Sequence, residues 1–130
     1  MMRQGPIPLF AHGVVEYLAG ALFIAAPFLL SFDSGAATAL SIIVGVVVLA
    51  VAAATEGPTS LVDQIPTAAH VALDYVLAVI LIALPFLAGF SDESPPTAFF
   101  IVVGVAHLLI TIGTRFRAPA EARAETPRTP

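Results

Sequence analysis

Ile7-Pro8-Leu9-Phe10-Ala11-His12-Gly13-Val14-Val15-Glu16-Tyr17 and Ile65-Pro66-Thr67-Ala68-Ala69-His70-Val71-Ala72-Leu73-Asp74-Tyr75 are two copies of one segment. Ile-Pro, Ala-His and acid-Tyr fall at the same offsets in both. The match continues outward. Pro27-Phe28-Leu29 aligns with Pro85-Phe86-Leu87, and Phe32 with Phe90. One extra residue then enters the second copy. Beyond it Thr38 aligns with Thr97, Val44-Gly45-Val46 with Val103-Gly104-Val105, Leu49 with Leu108, and Thr55 with Thr114. A unit repeated in this way is a supersecondary element written twice.

Each unit holds two apolar runs, about 12–32 and 36–55 in the first, about 70–90 and 97–114 in the second. About 20 residues of helix cover the ~30 Å hydrocarbon core of a bilayer. Backbone groups in lipid must be paired internally, so runs of this length read as helices. Of the 130 residues 58% are hydrophobic and 11% charged, less than half the charged share of an ordinary soluble domain. The expected fold is an all-α membrane protein, a four-transmembrane-helix bundle built from two parallel two-helix repeats. Two spans per unit return the chain to its starting side, so the repeats are related by an axis along the membrane normal. Arg3 and an apolar stretch loosely imitate a signal peptide, but the pattern recurs inside the chain, so the first run is read as a retained helix.

The organisation is an N-terminal tail 1–6, repeat one 7–57, a linker 58–64, repeat two 65–116 and a tail 117–130. The tail is rich in Pro, Ala, Glu and Arg and is expected to be disordered. Arg3 precedes the first span, and Arg115, Arg117, Arg123 and Arg128 follow the fourth. The short hairpin loops carry Asp33, Asp92 and Glu93 and no arginine. By the positive-inside rule both termini and the linker lie in the cytoplasm, and the chain is a multi-pass protein of the bacterial cytoplasmic (inner) membrane.

The polar residues within the spans form a candidate intramembrane cluster: His12, Glu16 and Tyr17, their counterparts His70, Asp74 and Tyr75, and His107, whose place in the other repeat is held by Val48. His12 and Glu16, like His70 and Asp74, are four apart and share a helix face. Ionisable side chains within a span are costly and mark function by default. The first reading is nevertheless structural, with each acid satisfied by a neighbouring His or Tyr. A proton relay or substrate site comes second. A transition metal on the two His and two carboxylates, or metal or haem binding through His12, His70 and His107, comes third, and no metal or cofactor is expected. His107 is expected to face the interior and approach Glu16 or Asp74. Gly45 and Gly104 are read as helix-packing positions. Pro27 and Pro85 are read as helix kinks or stops that free the carbonyls of Phe23 and Leu81.

No cysteine is present, and phosphate-binding, dinucleotide, zinc-protease and nucleophile-elbow motifs are absent, so no enzyme and no catalytic residue is expected. The arginines are too scattered for a nucleic-acid footprint. The expected partners are the lipid bilayer and a homo-oligomer or other membrane protein.

Ala26-Pro27-Phe28-Leu29-Leu30-Ser31-Phe32 and Leu84-Pro85-Phe86-Leu87-Ala88-Gly89-Phe90 resemble degenerate copies of the motif of the SPW repeat family of small bacterial membrane proteins. That family has Ser-Pro-Trp followed by a Leu-Gly-Phe-like stretch in the first of two helices per repeat. Here Ala26 and Leu84 stand for Ser, and Phe28 and Phe86 for Trp. The resemblance implies a bacterial inner-membrane protein and brings no activity with it. Glu16 is also similar to the membrane-embedded Glu of small multidrug transporters, but Asp74, the parallel repeat and the absent Trp argue against that family. The functional expectation is a non-enzymatic scaffold or partner-binding protein. The alternative is a small proton-linked transporter or permease component using Glu16, Asp74 and His107.

Overall fold

The computed structural model describes residues 5–116; the expected tail 117–130 and most of the segment 1–6 lie outside the described residues. The order is β1 (Ile7–Pro8), α1 (Leu9–Leu29), α2 (Gly35–Ala54), α3 (Thr67–Leu87), α4 (Ser94–Gly113) and β2 (Thr114–Arg115). All four helices are long and apolar enough to cross a membrane. Each of α1, α2 and α3 buries only 33% of its most apolar window, and α4 22%. The remainder is an apolar outer face, with Phe10, Leu18, Phe28, Val79, Leu87 and Val102 among its exposed residues. Water would make that surface unfavourable, whereas lipid does not.

The spans start about three residues earlier than their hydropathy suggests, at Leu9 and Thr67 in the odd helices. Pro8 and Pro66 are extended at the N-cap position, so the helix begins directly after each proline rather than with it. The spans also end earlier, at Leu29 and Leu87. There Ser31 and Gly89 take positive φ, and the amides of Phe32 and Phe90 donate to the carbonyls of Pro27 and Pro85, at 3.0 and 2.9 Å. This is the Schellman stop, a left-handed residue followed by an amide that returns to the last turn. The Pro…Phe spacing thus encodes where the helix ends.

Pro27 removes the amide that would bond the Phe23 carbonyl, and the Ser41 hydroxyl from α2 donates to that carbonyl at 2.6 Å. Neighbouring hydroxyls commonly re-satisfy such groups within a bilayer. Below the stops lies an apolar core of Phe23, Ala37, Val44, Val48, Leu81, Phe90 and Phe100. Phe23, Phe99 and Phe100 meet edge to face across α1 and α4, at 4.9 and 5.6 Å from Phe23.

α1 packs chiefly on α2, and α3 on α4, as the repeat requires. Gly45 sits where α2 crosses α1: an added Cβ would meet the Gly20 carbonyl oxygen at 2.6 Å. At Gly104 it would meet Ile82 Cγ1 at 2.9 Å and the Ala78 carbonyl oxygen at 3.3 Å. Gly20 and Ala78, the small partners on α1 and α3, complete both crossings.

The two repeats also exchange backbone bonds. Ile7 pairs in parallel with Thr114, and Ile65 with Thr55. The residue that leads into each odd helix therefore lies beside the threonine that ends an even helix. Both ends of the described chain meet at this end of the bundle, where Arg115 Nε also donates to the Gly5 carbonyl at 3.3 Å. The linker closes over it, and amides of Leu61, Val62, Gln64 and Ile65 satisfy the last carbonyls of α2 on Ala53 and Ala54.

Candidate functional site

His12 and His70 lie in the first turn of α1 and α3, and Glu16 and Asp74 one turn further in. Counted from Leu9, Glu16 is about 10 Å along the helix. The i, i+4 spacing stacks each His on its own acid, and the pseudo-twofold arrangement brings the two pairs face to face. His12 Nε2 is 3.2 Å from Glu16 Oε1 and 3.1 Å from Asp74 Oδ2. His70 Nε2 is 2.7 Å from Glu16 Oε1 and 3.1 Å from Asp74 Oδ1. All four residues are buried, at 2–7% exposure. The two motifs are thus one quartet rather than two separate clusters.

The outer nitrogens are held across the repeats. His12 Nδ1 lies 2.8 Å from Thr114 Oγ1, and His70 Nδ1 2.6 Å from Thr55 Oγ1. Neither threonine stands out as a site residue in the sequence, although their match in the repeat is a visible signal. Phe116 covers His12 edge to face at 5.2 Å.

His107 Nε2 approaches Asp74 Oδ1 at 3.5 Å and is buried without a hydrogen-bond partner among the described residues. The tyrosines do not reach the acids. Tyr17 donates to the Thr59 carbonyl at 2.8 Å, which draws the linker onto α1. Gly13 makes that closure feasible, since an added Cβ there would collide with Thr59 Oγ1. Tyr75 is half-buried and makes no hydrogen bond to the quartet among the described residues. Of the two expected partners of the acids, His or Tyr, the histidines are the ones that reach them. The imidazoles are nearer and better placed, one helical turn away and across the axis.

Two openings reach the quartet. A niche of about 20 Å³ on the linker side is bordered by His12, Glu16, Glu56, Thr59 and His70, room for about one water. A groove of about 190 Å³ between α2 and α3, walled by Val47, Val51, Leu73 and Ile80, has Glu16 and Asp74 at its floor.

Chemically, four donor atoms converge with two formal negative charges between them. Two protonated imidazoles, or one dication, would neutralise the group. Burial without such compensation would cost several kcal/mol per charge.

Comparison with curated proteins and with solved structures yields no match. The family model described as the SPW repeat domain matches residues 10–120. The match runs through both hairpins, both Pro…Phe stops and the whole quartet, and the chain belongs to the SPW repeat family.

Proposed function

We propose that the protein is a non-enzymatic scaffold or partner-binding protein of the bacterial inner membrane, its two repeats clasped at the quartet. One observation carries the reading: each histidine of the quartet reaches an acid and a threonine of the opposite repeat. His12 spans to Asp74 and Thr114, and His70 to Glu16 and Thr55. Such an exchange locks two hairpins into one register. The broad apolar exterior suits lipid and self-association or contact with another membrane protein. The arginines at both ends support cytoplasmic termini. The test is the particle mass of the full chain in nanodiscs, read by native mass spectrometry after isolation from the bacterial membrane. A homo-oligomer, or a stoichiometric membrane partner, is expected. A lone monomer with neither would sink the reading.

A second reading, a proton-linked transporter using Glu16, Asp74 and His107, is favoured by the 3.5 Å approach of His107 to Asp74. Proton flux into liposomes separates the two. Equal flux for the unaltered chain and the Glu16→Gln/Asp74→Asn variant supports the scaffold; flux lost in the variant supports transport.

A further inference from the structure

Thr55 and Thr114 decide which nitrogen of each imidazole carries hydrogen. Each hydroxyl donates to a carbonyl one turn back in its own chain segment, Thr55 to Val51 and Thr114 to Ile110, both at 2.6 Å. A hydroxyl has one hydrogen, so each threonine offers its histidine only a lone pair. Nδ1 of His12 and of His70 is therefore the donor, and Nε2 of both rings faces the carboxylates. A neutral ring with its hydrogen on Nδ1 presents a bare lone pair at Nε2. At 2.7–3.2 Å from carboxylate oxygens, two such lone pairs repel. A proton in the gap, on ring or carboxyl, or one dication shared by all four groups relieves the repulsion.

We propose that His12, Glu16, His70 and Asp74 bind a single divalent transition-metal ion of the zinc class, with Thr55 and Thr114 as the outer supports of the two histidines. The proposal rests on the clasp reading, since the ion would be what draws the repeats together. One ligand atom from each of the four residues can be chosen so that all lie within 4.8 Å of one another. Two imidazole nitrogens and two carboxylate oxygens, without sulfur, suit Zn²⁺, Co²⁺, Fe²⁺ or Mn²⁺ rather than soft Cu⁺. Four protein ligands and no open position is the pattern of a structural site. Two neutral imidazoles, two carboxylates and a dication sum to zero charge, which burial at membrane depth requires. Metal-bound histidines generally donate their other nitrogen to a fixed acceptor, the role the threonines fill. Ligands about 2.0–2.1 Å from zinc at tetrahedral corners are about 3.3 Å apart. With Glu16 Oε1 and Asp74 Oδ2 as the ligand oxygens, His12 Nε2 lies 3.2 and 3.1 Å from them and His70 Nε2 2.7 Å from the first, so these three edges need widen by about 0.1–0.6 Å. His107, with Nε2 unspent, stands beside Asp74 to hold the carboxylate oxygen that the ion does not take.

The full chain in nanodiscs, stripped with chelator, is titrated with Zn²⁺ by calorimetry and with Co²⁺ by visible absorption. One ion per chain is expected, with the intense Co²⁺ bands of a tetrahedral site, bleached by Zn²⁺. Glu16→Gln and His70→Gln should weaken binding at least 100-fold. Thr55→Val and Thr114→Val keep all four ligands and should weaken it about 10- to 100-fold. Absence of tetrahedral Co²⁺ bands, or threonine and ligand variants that bind like the unaltered chain, would overturn the proposal. Melting in chelator tests the clasp separately. If the stripped chain outlasts the threonine variants yet binds no ion, the clasp stands and the metal site falls. If they melt alike while the unaltered chain binds one ion, the site stands and the clasp falls.

Discussion

In repeat one the carbonyl that Pro27 frees on Phe23 accepts from the Ser41 hydroxyl. In repeat two Ser41's place is taken by Phe100, which has no hydroxyl and instead packs against Phe90 and Phe23. Likewise Ser31 and Gly89 occupy one position of the helix stop with different side chains. At the other end of the bundle the copies stay alike: His with His, acid with acid, threonine with threonine. The difference follows from who satisfies whom. At the proline end each hairpin terminates its own helix, so each copy can solve the problem separately. At the quartet end each histidine is held by the other copy's threonine and acid, so a change in one copy leaves a buried group stranded in both. His107, opposite Val48, is the departure nearest the quartet: repeat one lines a groove with valine where repeat two brings an imidazole to Asp74.

The sharpest way to break this contrast is at the quartet. Asp74→Ala removes one of the two carboxylates that His12 and His70 share and should destabilise the bundle by about 3–5 kcal/mol, read from thermal unfolding in detergent. Glu16→Ala should cost a similar amount if the exchange is symmetric; a clear difference would show that one repeat carries the clasp. Next comes the aromatic core at the opposite end. Phe100→Ala removes a fully buried ring and should cost about 3 kcal/mol, while Ser41→Ala, at the matching position, should cost only about 0.6–1 kcal/mol.

The helix crossings give a smaller and more discriminating pair. Gly45→Ala drives a methyl into the backbone oxygen of Gly20, whereas Gly104→Ala meets first the side chain of Ile82. Backbone yields less readily than a side-chain carbon, so about 1–3 kcal/mol is expected at Gly45 and under about 1 at Gly104. Equal losses would show that both crossings are equally rigid. The smallest effect is a gain. Ser31 holds a left-handed φ of 52° without being glycine, so Ser31→Gly should stabilise by about 1 kcal/mol, while Gly89→Ser should cost a similar amount.

Several features were legible in the chain alone because they depend on local composition and spacing. Length and hydropathy determine four spans, since a bilayer tolerates little else at that composition. The repeat determines two like hairpins, and His-x-x-x-acid spacing determines that each pair shares a helix face. Pro27 and Pro85, read as kinks or stops, pointed to the neighbourhood of the odd helices' ends, though hydropathy ran three residues past Leu29 and Leu87 because apolar side chains continue into the turn. Tertiary structure alone decided that the two His–acid pairs are one site, that Tyr17 serves the linker instead of the acids, and that Thr55 and Thr114 orient the imidazoles. These are contacts between segments far apart in the chain, set by how two hairpins meet about an axis. Periodicity within one helix specifies which face a residue occupies and carries no record of what will be packed against it.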